Sequence, residues 1–509
     1  MYGGCPTSKQ PQSDSPRVRS VTTVAHRRVH RIRVSGAPTR TIPIRPAAVA
    51  DEVGLYEIRR KIYPRAVTGI FARWRVAFVV ATQLVFYGMP WLIWSGRQAV
   101  LFDMGERKFY IFGLVFWPQD VVYLTVLLIL SALALFLFTA IAGRVWCGFA
   151  CPQTVYTEIF LWIERKIEGD RLARIRLDAE PLNARKLTKK SLKHGAWILL
   201  SLWTGITFVG YFTPIRELLL EIPGRLGPWE VFWALFYAFA TYGNAGWMRE
   251  QVCKHMCPYA RFQSVMFDRD TLIIAYDEKR GEPRGARSRK ADPRAAGLGD
   301  CIGCNICVQV CPTGIDIREG LQYECIGCAA CIDGCNQVMD RMGYPRGLIR
   351  YASQNSLVQG RKSAEMRRRV LRPRTLLYAA LLGVITLAAG VSLALKNPLK
   401  VDVIRDRGAL AREARPGVVE NVYRAQIMNT SELPQRFSLR VEGLPGIAIT
   451  GIAEPIDVGA AAARLVPFRI EVPAEAAAPG SHSIELIVEG AGATPMLRRE
   501  RTTFILPRS

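Results

Sequence analysis

Eight cysteines stand in two runs of identical spacing: Cys301, Cys304, Cys307 and Cys311 with Pro312, then Cys325, Cys328, Cys331 and Cys335. Each run reads C-x2-C-x2-C-x3-C, the spacing with which a chain wraps a [4Fe–4S] cluster, and a tandem copy makes a two-cluster ferredoxin module. A zinc ribbon would offer its ligands as C-x2-C pairs, and a secreted disulfide framework would not repeat in this way. In tandem modules the fourth cysteine of each run ligates the other cluster. One cluster therefore takes Cys301, Cys304, Cys307 and Cys335, and the other Cys325, Cys328, Cys331 and Cys311. Asn336 stands where a proline is expected after the second run and removes no ligand. The chemistry implied is electron transfer.

Four further cysteines form a second repeat. Cys147-Gly-Phe-Ala-Cys151-Pro152 and Cys253-Lys-His-Met-Cys257-Pro258 are both C-x3-C-P, and each leads into an amphipathic stretch, 154–167 and 259–267. A proline after the second cysteine lacks an N–H and marks a helix boundary or first turn. Cysteines four residues apart share a face if the segment is helical. Two such pairs at one depth would make a soft sulfur site suited to Cu(I), an iron–sulfur cluster or zinc. A dithiol couple is equally open to them, and simple packing of two helix ends is the structural alternative. Arg144, Lys254 and His255 are expected to favour thiolate there, and His255 is either a ligand or a polar boundary residue. Haem finds no support: none of His26, His30, His194, His255 and His482 lies in an apolar span, and no C-x-x-C-H occurs. Nor does a G-x-G-x-x-G sit between a strand and a helix.

The elements that must position these thiols are membrane helices. Segments 76–96, 121–143, 195–213 and 375–395 carry no charge, and about 19–23 residues suffice to cross about 30 Å of hydrocarbon. A weaker fifth span covers 231–247. Lysine plus arginine numbers 15 before the first span, 3 in 97–120, 11 in 142–194, 2 in 214–230 and 22 in 249–374. That alternation is the positive-inside pattern. It requires five spans, with the N-terminus cytoplasmic and the chain after about 396 outside. The net charge of +25 is thus mostly topological, and nucleic-acid binding is excluded as its purpose. Thirteen cysteines occur, none after Lys396, and all of them fall on segments assigned to the cytoplasm, where thiols stay reduced.

The expected architecture is a five-helix membrane protein with an inserted bacterial-type 2[4Fe–4S] ferredoxin module and a C-terminal all-β immunoglobulin-like sandwich. Residues 1–50 form a disordered basic tail, without the apolar core of a signal peptide and with an incidental Cys5. Residues 51–268 form a four-helix membrane domain, 269–299 a linker, 300–343 the ferredoxin domain and 344–374 a basic linker with Arg367–Arg369. The fifth helix covers 375–395. Residues 396–509 show about seven short alternating stretches, the pattern of an antiparallel β-sandwich.

With these residues in hand, the chain resembles the CcoG/FixG (RdxA-like) family, accessory proteins of cbb-type cytochrome c oxidase assembly. The resemblance rests on Lys61-Ile-Tyr-Pro-Arg65, Arg144-Val-Trp-Cys-Gly-Phe-Ala-Cys-Pro-Gln-Thr154, Cys253-Lys-His-Met-Cys-Pro-Tyr259, the ferredoxin module and Pro345-Arg-Gly-Leu-Ile-Arg-Tyr351. It implies a bacterial inner-membrane oxidoreductase that reduces Cu(II) to Cu(I) for the oxidase's binuclear centre, with a periplasmic immunoglobulin-like domain. It also implies a cytoplasmic electron donor, and partners among copper-handling proteins and oxidase assembly components. Cys147, Cys151, Cys253 and Cys257 match the family's membrane-proximal motif, which makes them the candidate copper-reducing or copper-binding site. The same motifs resemble NapH-type quinol dehydrogenases, so a quinol or electron relay is the alternative, with a mainly structural assembly factor as a third reading.

Overall fold

The computed structural model describes residues 61–222, 224, 226–289, 297–359, 371–406, 411–490 and 496–507. The expected tail 1–50 with Cys5, and Arg367–Arg369, lie outside the described residues. Among the described residues, three helices are long and apolar enough to cross a membrane: Ile70–Trp91, Pro118–Ala142 and Pro373–Ala394. Within the first, α1 (Ile70–Gly88) starts six residues ahead of the expected span and ends eight before it. Its start is fixed from outside, where the Asp333 carboxylate accepts the N–H groups of Ala72 at 2.7 Å and Phe71 at 3.4 Å. That places Arg73 and Arg75 inside the helix rather than ahead of it. Pro90 ends it, and β1 (Ile93–Trp94) turns back on β2 (Arg97–Gln98) through Ser95 and Gly96, both at positive φ.

The expected span 121–143 falls on α2 (Val121–Ala142) and 375–395 on Pro373–Ala394, while 195–213 and 231–247 fall on two less regular helices. α3 (Val145–Phe149), α4 (Pro152–Glu168) and α5 (Arg171–Ala179) precede α6 (Ala184–Val209), whose first half carries four lysines, Lys186, Lys189, Lys190 and Lys193. Asn183 caps it by accepting the Lys186 N–H at 2.7 Å. After α7 (Ile215–Glu221), α8 (Pro228–Thr241) is only 14 residues long and runs straight into π-helical turns, Tyr242–Met248. α6 and α8 pack together, with the Phe208 and Tyr237 rings 3.7 Å apart between centroids. Their charge and shortness set them apart from the three apolar helices.

α9 (Pro258–Met266) and α10 (Glu278–Gly281) lead to the ferredoxin module, which is followed by α13 (Gln354–Gln359) and α14 (Pro373–Ala394). α14 lies antiparallel to α2. At one end Tyr123 reaches Ser392 at 3.1 Å, and at the other Arg372 joins Asp268 at 2.5 Å.

Residues from 399 onward form the expected sandwich, with two strands more than the pattern suggested. One sheet holds β8 (Leu399–Arg405), β10 (Val418–Asn429), β14 (Ala463–Pro473) and β12 (Ala448–Thr450), with β9 (Arg412–Arg415) paired to the end of β10. The other is β13 (Ile456–Val458), β11 (Gln435–Glu442), β15 (Gly480–Gly490) and β16 (Leu497–Leu506). β9 is exposed along its whole length, and β13, although it alternates, is only three residues long. Tyr423, Phe437, Phe468 and Phe504 fill the core, each burial contributing about 1.5–3 kcal/mol. The buried Asn421 ties the two sheets by bonding both Ile505 backbone groups.

The sandwich sits on a small sheet of β3 (Val100–Asp103), β4 (Lys108–Ile111) and β5 (Leu114–Phe116), where Met428 packs on Val115 and Trp117. Asp120 anchors it. Lys396 and Lys400 meet this one buried carboxylate at 3.0 and 2.5 Å. Asp120→Ala leaves two largely buried lysines without a counter-charge, a loss of about 3 kcal/mol. The expected outcome is several-fold faster proteolysis near residue 396 with the sandwich itself still protected; unchanged cleavage would show that this contact does not hold the domain.

Candidate metal centre

The ferredoxin module closes on a two-stranded ribbon, β6 (Ile273–Tyr276) against β7 (Ile349–Ala352). Each cysteine run opens with the same local geometry. Gly303 and Gly327 take φ of 68° and 70°, and Asn305 and Ala329 take 55° and 60°, directly ahead of α11 (Ile306–Gln309) and α12 (Ala330–Met342). Asn336 explains the missing proline. α12 continues through it, and its side chain accepts the Gly347 N–H at 3.0 Å. Cys331 and Cys335 therefore sit one turn apart on an unbroken helix.

Two small cavities result. One is lined by Cys301, Cys304, Cys307 and Cys335 with Ile302, Ile306, Met339 and Leu348; the other by Cys311, Cys325, Cys328 and Cys331, with Cys307 at its edge. Four thiols in an apolar wall fit a [4Fe–4S] cube, whose irons take one sulfur each at separate corners. Burial pushes the Cys307 thiol up to about 11 and the Cys325 and Cys335 thiols up to about 12. They ionise only against a cation. Cys304 alone among the eight is exposed.

The C-x3-C-P repeat departs from the helical-face expectation. Cys147 lies in α3, but Cys151 is the extended residue capping α4 (φ −60°, ψ 129°). Likewise Cys253 lies in π-helical turns, Val252–Met256, and Cys257 caps α9 (φ −79°, ψ 109°). Both prolines then occupy the first helical turn. Nor do the basic neighbours produce thiolates. Burial pushes Cys147 up to about 12 and Cys253 to about 11, and the Arg144 charge only partly opposes it. At Cys151 burial also wins, against the Gln153 and Thr154 amides at the start of α4. His255 is exposed. The other three thiols all act on Cys147 electrostatically, yet among the described residues no three His, Cys, Asp or Glu side chains converge to hold a single metal ion.

What the structure brings together is the two thiol sets. Val310, Ile326, Cys328 and Ala330 form a buried cluster against which Cys147, Cys253 and Cys331 all pack. The backbones touch there: a Cβ on Gly148 would lie 2.8 Å from the Cys328 Cα and N, and one on Gly327 would lie 3.0 Å from the Arg144 carbonyl. Arg144, 6% exposed, donates to the carbonyls of Tyr323, of Cys325 at 3.3 Å and of Ala260, so it joins both repeats to the module. The Cys147 Sγ lies 3.4 Å from Gln263 Oε1, and Gln263 donates to Thr139 at 3.2 Å.

Beneath the repeat lies a buried ion network that the amphipathic pattern did not foretell. Trp162, Phe262 and Val265 are exposed, while α4 buries Glu164 and Glu168 beside Val155, Phe160 and Leu161. Glu164 takes Arg174 and Arg249 at 3.1 Å each, and Lys193 meets Glu168 at 2.9 Å. Burial raises the Glu164 pKa, but Arg249, Arg174 and Lys193 outweigh it and hold the carboxyl low. Gln153 donates to the Asn244 and Arg249 carbonyls at 2.9 and 3.0 Å, linking one C-x3-C-P copy to the approach of the other.

Comparison with known proteins follows the same division. Residues 248–354 match the family model of a 4Fe–4S dicluster domain, 124–169 a 4Fe–4S binding domain, and 389–507 the Ig-like fold at the C-terminus of FixG. The nitrogen fixation protein FixG of Rhizobium meliloti is 36% identical over 456 residues, 82% of this chain and 87% of its own length. RdxA of Cereibacter sphaeroides is 41% identical, covering 82% and 91%, and RdxB of the same organism 39%, covering 79% and 86%.

The Gly148 contact generates a test. Gly148→Ala puts a methyl into the Cys328 backbone, an overpacking cost of about 1–3 kcal/mol, whereas Gly195→Ala meets nothing within 4 Å. The first variant is expected to lose a large part of its iron per chain and the second none. Equal iron in both would show that the close approach is dispensable.

Proposed function

The chain belongs to the FixG family of ferredoxin-type proteins, and from that premise we propose that this membrane-associated iron–sulfur redox protein carries electrons to the C-x3-C-P thiols for the reduction of Cu(II) to Cu(I). Cys301, Cys304, Cys307 and Cys335 would hold one [4Fe–4S] cluster and Cys311, Cys325, Cys328 and Cys331 the other, each supplying a one-electron carrier. The observation that carries this reading is that Cys147 and Cys253 pack against the same buried cluster, centred on Cys328, that Cys331 also packs against. The exposed Cys304 opens the first thiol set to a soluble donor, Cys307 borders both cavities, and Cys328 abuts Gly148. The thiols thus make a continuous line from an exposed face to the membrane motif. Copper enters as substrate, takes one electron per ion, and leaves as Cu(I) for assembly of a cbb-type oxidase. A site that gathers no three ligands around one point suits an ion in transit.

In this reading the chain crosses the inner membrane five times, with the thiols and ferredoxin module in the cytoplasm and the sandwich in the periplasm. The Asp120–Lys396 and Asp268–Arg372 contacts support it, since they lie at opposite ends of α2. The donor is cytoplasmic, and copper-handling proteins are the partners.

A quinol relay is the second reading, favoured by an aromatic cavity of Phe208, Phe212, Trp229, Trp233 and Tyr237. Its position counts against it. Trp197, packed beside Gly246 on the thiol side, is roughly 18 Å along α6 from Val209 at the cavity. The deciding experiment is anaerobic Cu(II) reduction by the reconstituted protein. Cys147→Ser, Cys151→Ser, Cys253→Ser and Cys257→Ser combined should lower the rate at least tenfold while the ferredoxin iron stays in place. An unchanged rate removes the assigned site, and rapid reduction of the protein by menaquinol would favour the relay.

A further inference from the structure

Two arginines from outside the ferredoxin module reach its second thiol set, and among the described residues neither is closed into an ion pair. Arg75, in the second turn of α1, is 9% exposed and lines one cavity with Cys328 and Cys253. Its Nε has no partner among the described residues. The two carboxylates that act on it are engaged elsewhere. Asp333 holds the Ala72 amide at 2.7 Å, and Glu158 faces Arg165 at 3.4 Å. Arg144, beside Cys325, gives its charge to backbone carbonyls alone. The first thiol set also has an arginine, Arg318, but Asp316 closes on it with contacts of 2.5, 2.8 and 3.1 Å.

We propose that Arg75 and Arg144 raise the reduction potential of the centre held by Cys311, Cys325, Cys328 and Cys331, so that the membrane helices themselves bias electrons towards the C-x3-C-P thiols. Reduction adds one negative charge to a centre. A buried, unpaired cation stabilises that charge strongly, whereas a closed Arg–Asp pair acts only as a dipole. Cluster potentials respond to net charge near the sulfurs, and Arg75 supplies a buried positive charge in the cavity that Cys328 lines. Arg75 and Arg144 are positioning residues here, since they act through the cysteines. The inference rests on the two-cluster reading, whose own failure would appear as missing iron rather than as a changed potential.

The test is an anaerobic potentiometric titration of the full-length protein followed by electron paramagnetic resonance. Arg75→Gln is expected to lower one of two midpoint potentials, so that the reduced-to-oxidised ratio of that centre at fixed potential falls about tenfold, about 59 mV for one electron. Arg75→Lys should retain most of the wild-type value. Glu158→Gln, which removes a neighbouring negative charge, should raise the same potential, and Asp316→Asn should raise the other one. If Arg75→Gln and Glu158→Gln leave both potentials in place, or if Asp316→Asn and Glu158→Gln move the same centre, the proposal is overturned.

Discussion

Contact between two backbones organises this molecule. Where Gly148 meets Cys328 and Gly327 meets Arg144, the membrane domain and the ferredoxin module approach as closely as polypeptide allows. No side chain intervenes, so the membrane thiols and the second set of module thiols share one apolar cluster. Electron transfer depends steeply on separation, and this approach keeps it short. The rest of the inner half can be understood as support. Arg144 fastens three carbonyls from two domains, and Asp333 holds the first amides of α1.

That support is partly ionic. α4 buries Glu164 and Glu168 beside Val155, Phe160 and Leu161, and the glutamates meet Arg174, Arg249 and Lys193. An ion network of this kind adds little net stability over an apolar core, but its directional contacts fix geometry. Arg249 sits at φ 44°, bonded to Glu164 and to the Gly246 carbonyl, four residues ahead of Cys253. The second C-x3-C-P copy therefore starts from a fixed point.

Much of this was legible in the sequence. The cysteine spacing foretold a two-cluster module, and period-2 alternation foretold the sandwich. What escaped was geometry that depends on distant partners. The start of α1 is set by Asp333, some 260 residues away, so a charge-free window placed Arg75 outside the helix. The i, i+4 rule failed at Cys147 and Cys151 because Pro152 starts a new helix and leaves Cys151 extended. The basic neighbours of Cys147 promised thiolate, but desolvation outweighs a nearby charge once the sulfur is buried. The stretch 154–167 is helical as its pattern suggested, but periodicity did not foretell that Glu164 and Glu168 would be buried, because their partners Arg174, Arg249 and Lys193 lie on other segments.

α12 has a further consequence. Over one turn it presents Cys331 to the second cavity, Asp333 to the first amides of α1, and Cys335 to the first cavity. A rod bearing these three attachments cannot rotate for one without disturbing the others. Cofactor insertion and seating on the membrane helices are therefore coupled steps of maturation: filling either cavity fixes the rod and favours the remaining two. Half-loaded chains should be scarce, and biogenesis should run all-or-none.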